Sequence, residues 1–168
     1  MSEQDAGDMY RLAQEIHRRQ GDGDRQASVV AAIGDIYQEQ AQFDSALAAF
    51  QTALCLYQQH SSHPVEIAMQ FDNIGNTYFE RGELDKALKA FGDALHVFKL
   101  LGHRHGEAPS LGNIGLLHRR RGAEVEALDY LAQARAIYRD TGDRGGRRLS
   151  GRWRRWLSRG HIAWEQKS

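Results

Sequence analysis

The sequence predicts an all-α protein, an α-solenoid of antiparallel helical hairpins, and three observations support this prediction. Segments 31–57, 72–98 and 112–138 align without gaps at steps of 41 and then 40 residues. Within each segment, apolar residues recur at the spacing of a buried helix face. No stretch of useful length alternates apolar and polar residues as strands do. One hairpin hides little apolar surface alone, so we expect the hairpins to stack on one another.

The repeats divide the chain. We expect residues 1–8 to be disordered and residues 9–22 to be half a repeat, because Tyr10 lies 40 residues before Phe50 and shares its place in the pattern. Full repeats follow at 25–60, 64–101 and 106–141, and residues 147–168 form an atypical C-terminal segment.

Each full repeat is predicted to contain two helices. Gly82 and Gly122 mark the end of a first helix, because glycine accepts the left-handed conformation that commonly ends helices. Second helices are expected to begin near acidic residues that suit a helix N-terminus, namely Asp44, Asp85 and Glu124. Pro64 and Pro109 are expected in the first turns of the repeats that follow, where proline is tolerated.

A glycine also occurs inside each first helix, at Gly34, Gly75 and Gly115. Glycine costs about 1 kcal/mol relative to alanine in a helix interior. We therefore expect close contact between the two helices of a hairpin at this glycine, with larger residues such as Phe91 filling the space beside it.

The second repeat resembles the tetratricopeptide repeat. The matching residues are Phe71, Ile74, Gly75, Tyr78, Ala87, Phe91 and Ala94. The third copy is weaker, with His118 at the tyrosine position and Val125 one step from an apolar site. The period of about 40 is similar to the longer variety found in kinesin light chains and many bacterial signalling regulators. The resemblance implies a right-handed superhelix.

The resemblance also implies that the first helices line a concave groove that receives a protein or peptide partner. Phe79 and Leu116 are expected to be apolar and exposed there, and Asn73 and Asn113 occupy equivalent places. Carried over by position, the groove residues are Asp35, Gln38, Glu39, Asp72, Asn73, Asn76, Phe79, Glu80, Asn113, Leu116, Arg119 and Arg120.

The sequence carries no signal for catalysis, a metal site or a cofactor. No nucleophile is paired with a base, and the glycine-rich stretches lack the pattern of a phosphate-binding loop. His60 with His63, and His103 with His105, are expected to be solvated loop residues, because no cysteine or HExxH spacing accompanies them. Cys55 is expected to be buried filler.

The chain is neutral overall, but its charge is uneven. Residues 1–140 carry 14 Lys and Arg against 20 Asp and Glu, a net charge of −6, whereas residues 141–168 carry 8 against 2, a net charge of +6. Segment 147–168 is predicted to be a basic Arg/Trp capping helix. The alternatives are an arm that contacts nucleic acid or an anionic membrane surface, and an altered repeat of a larger signalling regulator.

These patterns predict a non-catalytic adaptor that binds a partner protein. The alternative is a regulatory module that uses its basic tail, and self-association through repeat ends is a third hypothesis. No apolar stretch approaches the roughly 20 residues of a membrane-spanning helix, and no secretory signal is evident. A single cysteine forms no internal disulfide. We therefore expect a cytoplasmic location.

Overall fold

The computed structural model describes residues 23–60 and 63–142, and this part of the chain is an all-α solenoid. The half repeat at 9–22 and the segment at 147–168 lie outside the described residues. In the described part of the chain six helices form three antiparallel hairpins, which confirms the predicted fold class. They are α1 (Gly23–Glu39), α2 (Phe43–His60), α3 (Pro64–Arg81), α4 (Leu84–Leu100), α5 (Arg104–Arg120) and α6 (Glu124–Asp140).

The turns within the hairpins lie where glycine predicts them. Gly82 follows α3 with a φ of 82°, and its N–H donates to the carbonyl of Phe79 at 3.1 Å. Gly122 follows α5 with a φ of 77°. A residue with a side chain rarely adopts this conformation, so the turn geometry favours glycine at both places. In the first hairpin Ala41 occupies the equivalent turn, with a φ of 58°.

The two prolines have different positions. Pro64 is the first residue of α3, as predicted. The prediction for Pro109 is wrong, because α5 begins at Arg104 and Pro109 lies in its second turn. The imidazole Nδ1 of His103 accepts a hydrogen bond from the N–H of Gly106 at 3.0 Å. This side-chain cap stabilises a helix start that precedes the proline by five residues.

The glycine inside each first helix contacts a large side chain of its own second helix. A Cβ atom built on Gly34 would lie 2.5 Å from the ring of Phe50, and one on Gly75 would lie 2.6 Å from that of Phe91. In the third hairpin the neighbour of Gly115 is Leu131, at 2.9 Å. The predicted close contact is therefore confirmed in all three hairpins.

Successive hairpins are joined by apolar and charged contacts. One buried cluster joins Phe50 of α2 to Ile74 of α3. Arg81, the last residue of α3, pairs with Asp44 of α2, and Arg121, just after α5, pairs with Asp85 of α4. The same ion pair thus recurs one repeat later. These contacts between hairpins place the three first helices side by side.

The prediction that Cys55 is buried is wrong. Its side chain is exposed on α2 and accepts a hydrogen bond from Gln59 Nε2 at 3.5 Å. The apolar pattern around it places Ala53 and Tyr57, rather than the thiol, in the core.

Candidate functional site

The first helices present matching stripes of side chains. On each of them, residues spaced by four, three and four positions lie along one face, because this spacing follows one side of an α-helix. We call these twelve residues the first-helix surface. Its members are Ser28, Ala32, Asp35 and Glu39 on α1; Met69, Asn73, Asn76 and Glu80 on α3; and Pro109, Asn113, Leu116 and Arg120 on α5.

The stripes are neighbours in space. Ser110 of α5 donates to Asp72 Oδ2 of α3 at 2.8 Å. Nη1 of Arg120 donates to the carbonyl of Phe79 at 2.8 Å, again joining α5 to α3. Residues of both α1 and α3 line one open cavity. The three first helices therefore form a continuous surface.

This cavity is acidic. It has a volume of about 540 Å³ and is lined by Asp35, Gln38, Glu39, Ala41, Phe43 and Glu80. The pKa of Asp35 is raised above its ordinary value, chiefly by burial and also by the negative charge of Glu39. Because a cation in the cavity would relieve this repulsion, the α1 end of the surface favours a positively charged group.

Amide side chains occupy the middle of the surface. Asn73 and Asn76 are half-buried on α3, and Asn113 is half-buried on α5. An amide both donates and accepts hydrogen bonds, so it suits the backbone of an extended segment. The equivalence of Asn73 and Asn113 expected from the repeat is retained in the structure.

Asp72 faces the joint between two helices instead of the open surface. Its Oδ2 accepts the hydrogen bond from Ser110, whose side chain is fully buried. Its Oδ1 is also buried and has no hydrogen-bond partner among the residues that the structure describes. Burial raises the pKa of Asp72 to about 7, and the hydrogen bond from Ser110 only partly offsets this effect. The carboxyl group therefore contributes to the contact between α3 and α5.

The expected exposure of two apolar groove residues is corrected. Leu116 is only 9% exposed and belongs to a buried cluster with Leu117 and Leu111. Phe79 is half-buried, and the guanidinium of Arg120 lies 4.9 Å from the centre of its ring. Neighbouring helices in the stack cover these side chains, and the sequence of one helix does not show that contact.

Basic residues occupy the α5 end of the surface. Arg120 is exposed, and Arg119 is half-buried beside it. Arg120 is held by its hydrogen bond to α3 and by its contact with the Phe79 ring, an arrangement that stabilises a cation on an aromatic face. The surface therefore changes from acidic at α1 to basic at α5.

Met69 belongs to the first-helix surface but was not predicted from the sequence. Its side chain is 52% exposed on α3, one turn before Asn73 on the same stripe. The spacing of four from Asn73 was the available signal. A flexible, polarisable methionine suits apolar side chains of varied shape.

Two of the histidines predicted to be solvated instead have structural contacts. His63 Nε2 lies 2.6 Å from Asp24 Oδ2, an ion pair that joins the start of α3 to the start of α1. His103 caps α5 and stacks on Phe98, with ring centres 5.5 Å apart. Within residues 23–60 and 63–142, no group of His, Cys, Asp and Glu is arranged to hold a metal ion.

Comparison with known families identifies the repeat. One model of the tetratricopeptide repeat matches residues 66–140, and a second matches residues 27–60. The chain belongs to the tetratricopeptide repeat family. Members of this family are generally non-catalytic. A comparison with curated protein sequences finds no match.

Solved structures share the tetratricopeptide fold. BtubC (BKLC) from P. vanneervenii is 19% identical with a TM-score of 0.70, over 80% of this chain and 56% of BtubC. Aspartyl phosphate phosphatase F from Bacillus subtilis is 17% identical with a TM-score of 0.72, over 80% of this chain and 36% of the phosphatase. The tetratricopeptide domain of Arabidopsis FLU is 17% identical with a TM-score of 0.65, over 70% of this chain and 98% of that domain. The chain thus spans about half or less of the first two proteins.

No helix in the described part of this tetratricopeptide array combines the length and apolar character that crossing a bilayer requires.

Proposed function

We propose that this tetratricopeptide array is a non-catalytic adaptor that binds an extended segment of a partner protein on its first-helix surface. The observation that carries the proposal is the alignment of the stripes of α1, α3 and α5 into one continuous surface beside an open cavity. The tetratricopeptide family supports a protein-binding role. An exposed thiol such as Cys55 suits a reducing compartment, so we place the adaptor in the cytoplasm.

The charges define a direction for the bound segment. Its basic residues would lie near Asp35 and Glu39, and its acidic residues near Arg120. In the middle, Asn76 would bind its backbone, and Met69 would contact an apolar side chain. This arrangement follows the rule that charges across an interface are complementary and set its orientation.

The experiment compares partner capture by surface variants of the whole chain. The wild type is immobilised and exposed to an extract of the native host, and retained proteins are identified by mass spectrometry. Asn73→Ala with Asn76→Ala removes the central amides without disturbing the buried core. Lys99→Ala with Leu100→Ala is the matched control, because both residues are exposed on α4.

We expect a specific partner to be retained by the wild type and the α4 control and lost by the amide variant. Circular dichroism establishes that each variant keeps its helices. A partner retained equally by all three proteins would contradict binding on the first-helix surface.

A further inference from the structure

We propose that two titratable contacts set the spacing between the first helices α1, α3 and α5, so that the first-helix surface is narrow in weak acid and wider in weak alkali. One contact joins α1 to α3, and the other joins α3 to α5. Each contains a side chain that gains or loses a proton near neutral pH, whereas the contacts on which the hairpins would pivot do not.

The contact between α1 and α3 is formed by Asp24 and His63. Nε2 of His63 lies 2.6 Å from Oδ2 of Asp24. On α3 itself, Oε2 of Glu66 lies 3.9 Å from Nδ1 of the same ring. From α2, the ring of Tyr57 meets the imidazole edge-on, with ring centres 6.0 Å apart. The two carboxylates attract the imidazole most strongly when it is protonated.

The contact between α3 and α5 is formed by Asp72 and Ser110. Ser110 Oγ donates to Asp72 Oδ2 at 2.8 Å, whereas Asp72 Oδ1 is buried without a hydrogen-bond partner in the described part of the chain. Among the described residues, no charged group of α1, α2, α4 or α5 contributes to the pKa of this carboxyl group. Glu107, three residues before Ser110 on α5, is paired with Arg104 at 2.9 Å. The ionised form of Asp72 therefore has one hydrogen bond and no counter-ion within the described ranges.

Both contacts weaken as pH rises. The pKa of His63 is raised, chiefly by its hydrogen bond to Asp24, so the attraction is complete below the ordinary value of 6.5 and is lost as pH rises through the raised value. Burial raises the pKa of Asp72 to about 7, so this carboxyl group is neutral in weak acid and becomes a buried charge in weak alkali. The two titrations therefore act in the same direction on one surface.

The contacts that would serve as the pivot do not titrate near neutral pH. The recurring ion pair of arginine and aspartate joins α3 to α2 and the end of α5 to α4, and exposed groups of these types ordinarily stay charged there. The Phe98 ring of α4 packs where a Cβ atom on Gly106 of α5 would lie, a contact without charge. Near the ends of α3 and α5, Arg120 donates to the carbonyl of Phe79. The first helices would therefore separate most towards their starts.

Neither acidic residue is required by the repeat. The position of Asp24 is occupied by Val65 one repeat later, and the position of Asp72 is occupied by Ala31 one repeat earlier. The fold thus accepts an apolar residue at either position, so packing alone does not explain a carboxyl group there. As a result, each joint between first helices has one titratable contact of its own.

A change of spacing would also affect binding. A segment that contacts all three first helices favours the state in which they are close, because a ligand shifts an equilibrium towards the state that it binds better. We therefore expect partner affinity to fall as pH rises. This consequence rests on the proposed function, whereas the change of spacing does not.

The test measures distances between spin labels by dipolar EPR spectroscopy, in the full chain with Cys55→Ser, at pH 5.5 and pH 9. Labels at Ala32→Cys and Met69→Cys report the distance between α1 and α3. Labels at Met69→Cys and Pro109→Cys report the distance between α3 and α5. Met69→Cys with Lys99→Cys is the matched control, because both labels lie in one hairpin. All four labelled positions are exposed.

We expect both distances between first helices to lengthen at pH 9 by about 1–2 Å or more, the size of helix shifts at switching interfaces. The distance within the hairpin should stay constant. His63→Gln should abolish the response between α1 and α3 only, and Asp72→Asn should abolish the response between α3 and α5 only. Circular dichroism at both pH values establishes that the helices are kept.

Unchanged distances in the wild type would overturn the proposal. An equal lengthening in the control pair, or a response that persists at a joint whose titratable group has been replaced, would also overturn it. Should a variant lose its helices, the wild-type distances and the control pair still decide. Because no partner takes part in the measurement, its failure would leave the proposed function untouched.

Discussion

Alanine at Gly75 should destabilise the array although alanine is the better helix former. The new Cβ atom would lie 2.6 Å from two carbons of the Phe91 ring, closer than side-chain contacts allow. Phe91 is only 1% exposed, so the ring has little room to move. Overpacking of this kind costs about 1–3 kcal/mol, whereas the gain in helix propensity is about 1 kcal/mol. We expect a net loss of up to about 2 kcal/mol.

Gly92 provides a matched control in the same hairpin. It lies within α4 and is exposed, and apart from the nearby backbone of α4 no atom of the described residues lies within 4 Å of the place where a Cβ would be added. Gly92→Ala should therefore gain up to about 1 kcal/mol of helix propensity. The same substitution is expected to have opposite signs at the two positions.

The assay is urea unfolding followed by circular dichroism for the wild type and both variants. The free energy of unfolding should fall in the order Gly92→Ala, wild type, Gly75→Ala. Phe91→Leu, which copies the third hairpin, should reduce the cost of Gly75→Ala in a double-mutant cycle. If Gly75→Ala were as stable as Gly92→Ala, the close-contact explanation of the repeated glycine would be refuted.

Three further predictions concern charged contacts. The pKa of His63 is raised chiefly by its hydrogen bond to Asp24, so the pair stabilises the fold below pH 6.5 and loses this effect as pH rises through the raised pKa. Asp24→Asn should therefore lower the melting temperature more at pH 6 than in alkali. The pKa of Asp72 is raised from 3.8 to about 7, so ionisation of this carboxyl group destabilises the fold as pH rises through that range. Asp72→Asn should therefore raise the free energy of unfolding above that of the wild type by up to about 4 kcal/mol at pH 8 and by much less at pH 4, as measured by urea unfolding. Asp85→Ala breaks an exposed pair with Arg121 and should cost less than about 1 kcal/mol in the same assay.

Repetition explains why the fold could be predicted from the sequence. A residue type that recurs at the same position in three copies indicates a structural role. The glycines at 34, 75 and 115 each contact a large apolar side chain of the second helix of the hairpin. Turn glycines such as Gly82 were also predictable, because the left-handed conformation restricts the choice of residue. Contacts within one hairpin could therefore be predicted from the sequence of that hairpin.

Contacts between hairpins could not be predicted from the sequence in the same way. Leu116 and Phe79 were expected to be exposed in the groove, yet the stack covers the first and half-covers the second. His63 contacts Asp24 across a full repeat, a distance at which no local pattern applies. Met69 could have been found by extending the stripe one turn towards the start of α3.

A charge exchange across the proposed interface tests binding on the first-helix surface most directly. Once a partner segment is captured, its affinity for the wild type and for Glu39→Lys with Glu80→Lys is measured by calorimetry. We expect the variant to bind the natural segment at least tenfold more weakly. Changing the segment's basic residues to glutamate should restore binding to the variant. Equal affinity of the natural segment for both proteins would contradict binding at the acidic end of the first-helix surface.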